Sequence, residues 1–265
     1  MRSSPRLLTL FALFCAFVTA AAQTPTPSTN SLQAVAALRS ALTALAAGPA
    51  VNDVTLTGTA ERFAGSDDET GTVTYKALPS GSRLDLSLSG GTRSDIWSAS
   101  SSGPVGSWTG PDGVSHAMTY QNLLTDPGWF PLFTLANLSF SSSTVLTYVG
   151  TGTHNGVATI HISASQQVAA SSGDDTALLQ HLTQVDIYLD ATTLVPVAYS
   201  FNIHPDDNAL LDIPVEVRYS GYQTINGIRI PLRVQKFVNN TIALDLQFQS
   251  AVVNSGISSA SFALP

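Results

Sequence analysis

The chain has 265 residues, with 11 Lys and Arg against 18 Asp and Glu and a formal net charge of −7. Charged residues make up 11% and hydrophobic ones 44%. That excludes an acidic disordered chain, which needs low hydrophobicity with high charge. It also excludes a nucleic-acid partner, because 11 basic residues form no basic stripe. A chain of this length buries a core without disulfides or structural metals.

Arg2 and Arg6 precede the apolar run Leu7 to Val18, and Ala20-x-Ala22 suits cleavage before Gln23. Residues 1–22 therefore read as a secretory signal peptide, too short to span a membrane. Lipidation at Cys15 would need small residues before it, and Leu13 and Phe14 stand there. Cleavage removes two arginines and no acid, so the net charge moves from −7 to −9. It also removes the one cysteine, and with it any disulfide, thiolate ligand or Cys nucleophile. The expected location is the periplasm or the secreted fraction. No later apolar run is long enough for a transmembrane helix.

Residues 23–30 (QTPTPSTN) form a Pro/Thr linker. Ser31 to Ala47 follows as an amphipathic helix, with Leu32, Val35, Leu38, Leu42 and Leu45 at helical spacing. Asn30 is the expected cap, Gln33 its capping-box partner, and Gly48-Pro49 the stop.

Nearly everything after this helix alternates with period two. Val54, Leu56, Gly58 and Ala60 form one such row, and Leu84, Leu86 and Leu88 another. Val215, Val217 and Tyr219 form a third, and Ile242, Leu244, Leu246 and Phe248 a fourth. One apolar face per strand predicts antiparallel sheet, covered on one side and wet on the other. Turns fall at Gly65-Ser66-Asp67, Gly90-Gly91, Pro111-Asp112-Gly113, Asn155-Gly156, Asn226-Gly227 and Asn239-Asn240. About a dozen strands result, with no internal repeat and no linker, so residues 31–265 read as a single domain.

Asn122 to Leu138 breaks the pattern. Pro127 and Pro131 rule out a central strand, and Trp129, Phe130, Leu132, Phe133 and Leu135 predict a short helix or loop packed over an apolar surface. Ser171 to Gln180 reads as a surface loop or short helix.

Three local features resemble the LolA/LolB-like superfamily of periplasmic lipoprotein carriers. The first is the helix leading into a strand centred on Leu56-Thr57-Gly58. The second is the strand, Asp-led turn and returning strand from Val185 to Pro196. The third is the hairpin from Tyr219 to Pro231, with Gly227 and Pro231 at the family's positions. The resemblance implies an open half-barrel with helices on its concave side, and transfer or sensing of lipidated ligands without covalent chemistry. This chain is longer than the carriers, with the Pro/Trp/Phe segment and the Ser171–Asp175 loop as additions.

The residues themselves offer little catalytic chemistry. Asp67-Asp68-Glu69, Asp174-Asp175 and Asp206-Asp207 are sequence neighbours, read as solvated loop acids rather than a facing pair. His116, His154, His161, His181 and His204 lack a close His-x-His or H-E-x-x-H pattern. There is no G-x-S-x-G, and Gly150 to Gly156 reads as a hairpin turn, not a phosphate loop. No catalytic residue, metal ligand or cofactor is assigned.

The expected fold is mainly β: an open antiparallel half-barrel with one N-terminal helix and a lid, the alternative being a β-sandwich. The aromatics Trp97, Trp108, Trp129, Phe130, Phe133 and Phe140 gather in one half of the chain. The candidate ligand wall is Leu84, Leu86, Leu88, Trp97, Trp129, Phe130 and Phe133, with the aromatic segment as lid. Two arrangements fit: a cavity holding a lipid, lipoprotein acyl chain or other apolar ligand without enzymatic chemistry, or a solid core in an envelope interaction protein. A hydrolase with an unrecognised site is the third reading.

Overall fold

The computed structural model describes residues 30–48, 50–125, 128–167 and 173–265, with backbone alone for 173–175. The signal peptide, all of the linker except Asn30, and the Pro127 and Asp174-Asp175 readings lie outside the described residues or side chains.

Six strands come first after the helix α1 (Leu32–Leu45): β1 (Val54–Ala64), β2 (Asp67–Leu78), β3 (Gly81–Leu88), β4 (Gly91–Ser100), β5 (Gly103–Thr109) and β6 (Ser115–Ala117). Two helices follow, α2 (Tyr120–Leu123) and α3 (Pro131–Phe140). Then come β7 (Thr144–His154), β8 (Val157–Gln166), α4 (Gly173–Thr183), β9 (Val185–Asp190), β10 (Pro196–Ile203), β11 (Ile213–Ile225), β12 (Ile228–Val238) and β13 (Thr241–Val253). A 3-10 turn, Ser259–Phe262, ends the chain's regular structure.

All 13 strands join one antiparallel sheet in the order β6-β5-β4-β3-β2-β1-β13-β12-β11-β10-β9-β8-β7. The sheet does not close, so it is a half-barrel and not a sandwich. The chain starts in the middle, walks to one edge at β6, and resumes at the opposite edge with β7. The segment between them must therefore cross the sheet. It crosses on the concave side, because Trp129, Phe130, Leu132, Phe133 and Leu135 join the same buried cluster as α1 and the inward strand rows.

Local sequence explains the hairpins. Asn155 and Gly156 have φ of 49° and 82°, Asn226 and Gly227 51° and 81°, and Asn239 and Asn240 49° and 63°. Two successive positive φ angles make a type I′ turn, whose twist matches the strands it joins. The two later motifs meet directly: the Tyr222 hydroxyl donates to the Pro196 carbonyl at 2.8 Å. In the second motif Asp190 accepts from the backbone N–H of Thr192 and Thr193 at 2.9 and 2.7 Å, which closes its turn. Gly58, in the first, sits at a register shift where an added Cβ would lie 2.0 Å from the Gln247 carbonyl oxygen. Only hydrogen fits there.

The N-terminal helix differs from expectation in two respects. Its cap is Ser31, which accepts from the Ala34 N–H at 3.4 Å, so the third helical position is alanine and there is no capping box with Gln33. Asn30 instead accepts from Leu146 N–H at 2.7 Å, and Ser31 N–H donates to the Leu146 carbonyl, so both cover edge strand β7. The buried face is Ala34, Leu38, Ala41 and Leu45, while Leu32 is 86% exposed. Two alanines let the backbone approach closely, and Val35 and Leu42 flank the contact half-buried.

The aromatic segment forms α2 and α3, with Pro131 in the first turn of α3, where no N–H is needed. Of residues 171–180, 173–180 belong to α4, and 171–172 lie outside the described residues. Glu69 is not a solvated loop acid: it stands on β2, its side chain 14% exposed, held by two arginines. Asp206 and Asp207 are exposed between β10 and β11, as expected.

Candidate functional site

Helices α1 and α3 fill most of the concave face. Space remains beside Trp129, where β3 and β4 face β10, β12 and β13. One lobe, of about 210 Å³, is lined by Leu84, Leu86, Trp129, Val238 and Leu244 together with Arg62, Arg93, Asp95 and Lys236. A second, of about 170 Å³, runs under α2 and is lined by Leu84, Trp97, Met118, Leu123, Trp129, Phe201 and Ile203. Leu84, Asp95, Trp129 and Lys236 belong to both. Joined around Trp129, the lobes reach the lower end of ordinary ligand-site volumes, about 300 Å³ and upward.

Strand register aims these side chains. Residues directly opposite in an antiparallel pair share a face. Asp95 lies opposite Leu84, Arg93 opposite Leu86, Trp97 opposite Ser82, and Lys236 opposite both Val217 and Leu244. Leu84, Leu86, Val217 and Leu244 are buried inward, so Arg93, Asp95, Trp97 and Lys236 point inward too. Arg62 pairs with Leu244 on one side and Glu69 on the other, which places both at the same mouth.

The mouth carries organised charge. Glu69 accepts from Arg62 at 3.1 Å and from Arg93 with both oxygens at 3.1 Å. The Arg93 hydrogen bond, more than any other contact, holds the Glu69 carboxyl below its usual range. Asp95 remains open to solvent through the cleft, yet crowding by protein pushes its carboxyl up. Desolvation is the main cause, Asp85 adds to it, and Lys236 opposes it. Lys236 is pushed down, again chiefly by desolvation, against the attraction of Asp95. The result is a slot with apolar walls, Arg62, Arg93 and Glu69 at its mouth, and Asp95 and Lys236 where the two lobes meet.

Of the seven residues expected to form the ligand wall, Leu84, Leu86, Trp97 and Trp129 line the lobes. Trp97 is oriented by its indole N–H, which donates to the Leu123 carbonyl at 3.3 Å. Leu88, Phe130 and Phe133 are buried in the packed core. Phe130 and Phe133 pack edge to face, 4.9 Å between ring centres. Trp108, opposite Asp95 and so on the same face of the sheet, is 43% exposed, stacks on His116 at 4.2 Å and lines neither lobe; Phe140 is 83% exposed and lines neither. Arg62, Arg93, Asp95 and Lys236 were not singled out from sequence, and Glu69 read as a solvated loop acid. In an alternating strand Arg62, Arg93, Asp95 and Lys236 read as the wet face, and no local pattern reverses that: only the β3–β4 register sets Arg93 and Asp95 opposite Leu86 and Leu84.

Among the described residues no helix is long and apolar enough to cross a membrane. No protein-family model matches the sequence, and no curated protein matches it. Solved structures do match in fold. A putative outer membrane lipoprotein-sorting protein domain from Vibrio parahaemolyticus is 11% identical, covers 87% of this chain and 96% of its own, and has a TM-score of 0.55. A DUF1329 family protein from Desulfovibrio piger is 9% identical over 89% of this chain and 98% of its own, with a TM-score of 0.56. A LolA superfamily protein from Nitrosomonas europaea is 11% identical over 87% and 97%, with a TM-score of 0.50. With 13 strands in one open antiparallel sheet and helices on its concave side, this chain has the LolA-like fold.

Proposed function

We propose that this chain is an exported binding protein that holds a lipid, a lipoprotein acyl chain or another apolar ligand in the concave slot, without enzymatic chemistry. The observation that carries this reading is the pair of lobes meeting at Trp129 beneath a helical cover, walled by Leu84, Leu86, Trp97, Leu123 and Leu244, with Asp95 and Lys236 at their junction. An acyl tail gains about 0.8 kcal/mol per buried CH₂, and Arg62 and Arg93 at the mouth, with Lys236 deeper in, suit a polar or anionic head. Release needs the cover to lift, because α2 and the Trp129 segment roof the second lobe. The likeness to a lipoprotein-sorting domain supports the same class of ligand.

The test is native mass spectrometry of the mature protein recovered from its host's exported fraction, with organic extraction of what co-purifies. A bound lipid or acylated peptide, lost in Leu86→Asp and weakened in Lys236→Gln, is the expected result. Circular dichroism shows whether each variant is folded. A clean apo mass together with no uptake of fluorescent fatty acid would overturn it. The competing reading, an envelope interaction protein with a filled core, draws on α1 and α3 occupying most of the concave face, and expects that second outcome.

A further inference from the structure

Away from the slot, three segments converge at the end of the sheet. His181 stands in the last turn of α4, His204 directly follows β10, and Asp212 directly precedes β11. One ring nitrogen of each histidine and one Asp212 oxygen lie within 4.8 Å of one another. His181 Nε2 is 3.0 Å and His204 Nδ1 3.5 Å from Asp212 Oδ1. Zinc binds imidazole nitrogen and carboxylate oxygen at about 2.0–2.2 Å, and a tetrahedron of that size spaces neighbouring ligand atoms by about 3.3 Å. The His181–Asp212 separation is close to that spacing, and the His204 distance is that of Nδ1, the ring nitrogen beside the Leu211 carbonyl.

His204 is the informative member. Its side chain is fully buried. Nδ1 lies 3.3 Å from the Leu211 carbonyl, and Nε2 has no hydrogen-bond partner among the described residues. A buried ring nitrogen without a hydrogen-bond partner is costly unless something else uses its lone pair. The ring is also held in place. His204 N–H donates to Asn122 Oδ1 at 2.7 Å, and Asn122 Nδ2 donates to the His204 carbonyl at 2.8 Å. Metal-binding histidines are held in this way by carbonyl and second-shell contacts. His181 and Asp212 are part-exposed and line an open groove of about 680 Å³ on the outer face, beside Asp186 and Glu216. A fourth ligand, water or a small anion, has access from that side.

We propose that His181, His204 and Asp212 form a site for one divalent transition-metal ion of the zinc class, tying α4 to the loop between β10 and β11. The three ligands line neither lobe of the concave slot, although Asn122, which brackets His204, lines the lobe under α2.

The test uses the purified chain stripped with EDTA and titrated with Zn²⁺ alone, by calorimetry and by thermal unfolding, followed by the visible spectrum of the Co²⁺ form. One ion per chain is expected at micromolar protein, with a rise in Tm and the intense spectrum of a tetrahedral site. His181→Gln and Asp212→Asn change part-exposed side chains and leave the core intact. Each should weaken binding at least about tenfold, the smallest loss seen when even a ligand's supporting contact is removed. His161→Gln, in the separate His161–Asp186 pair 2.7 Å apart on the outer face, should leave binding unchanged. Absence of stoichiometric Zn²⁺ binding would overturn the site. So would binding that survives both ligand variants or follows His161.

Discussion

The hydroxyl of Tyr219, on β11, donates to the carbonyl of Gly128, where the aromatic segment enters the concave face. Gly128 has φ of +71°, and a Cβ on it would lie 2.8 Å from that hydroxyl oxygen. One buried contact thus sets where the cover sits against the sheet. Tyr219→Phe should cost about 1 kcal/mol in urea unfolding and speed hydrogen exchange in α2 and α3. Gly128→Ala should cost more, because it adds backbone strain to the same displacement. Equal protection of α2 and α3 in the wild type and Tyr219→Phe would show that the contact does not hold the cover.

Asp53 predicts an acid limb in stability. It is 2% exposed and accepts from Ser255 N–H at 2.7 Å, Ser255 hydroxyl at 2.8 Å and Gly256 N–H at 2.9 Å. Burial pushes its carboxyl up, but these hydrogen bonds outweigh burial and hold it below its ordinary value of 3.8. A carboxyl depressed by folding stabilises the folded state fully above 3.8, and that stability is lost as pH falls through the lower folded value. Asp53→Ala should therefore cost about 2 kcal/mol at neutral pH and much less in strong acid. Urea melts across that range would read the difference.

Asp95 has the opposite sign. Its carboxyl is raised in the folded protein, so its ionised form opposes folding once pH exceeds 3.8. Asp95→Asn should raise Tm at neutral pH, with the gain vanishing below that value. A lower Tm at neutral pH would mean that attraction to Lys236 outweighs desolvation.

Gly58 carries a steric prediction. Any side chain there meets the Gln247 backbone, which cannot rotate away. Gly58→Val should destabilise by about 3 kcal/mol, the upper end of overpacking, although valine favours strands elsewhere. Chemical denaturation settles this directly.

Elements set by neighbours in the chain were legible. Asn155-Gly156 and Asn226-Gly227 define their hairpins because only a few residue types accept positive φ twice in succession. Leu84, Leu86 and Leu88 point inward as their alternation predicts. The helix was legible too, but its buried face was not. Leu32 and Ala34, two residues apart, face different sides of the helix, and Ala34 is on the side that packs against the core.

The slot was half legible. Leu84, Leu86, Trp97 and Trp129 carry apolar surface that must be buried somewhere, so they stand out. Phe130 and Phe133 look identical in sequence and serve the core instead. Asp95 and Lys236 are polar residues on the inward side of their strands, a reversal with no local signal.

The sequence by itself determined the strands, their turns, the single helix before them and the segment that had to cover an apolar face. Each follows from periodicity and from backbone angles confined to adjacent residues. Only the tertiary structure decided that β1 pairs with β13, that the cover crosses from one sheet edge to the other, and that Asp95 faces Lys236 across the slot. It alone brought His181, His204 and Asp212 together. These are contacts between distant segments, and their register is chosen by packing and loop closure rather than by any local preference.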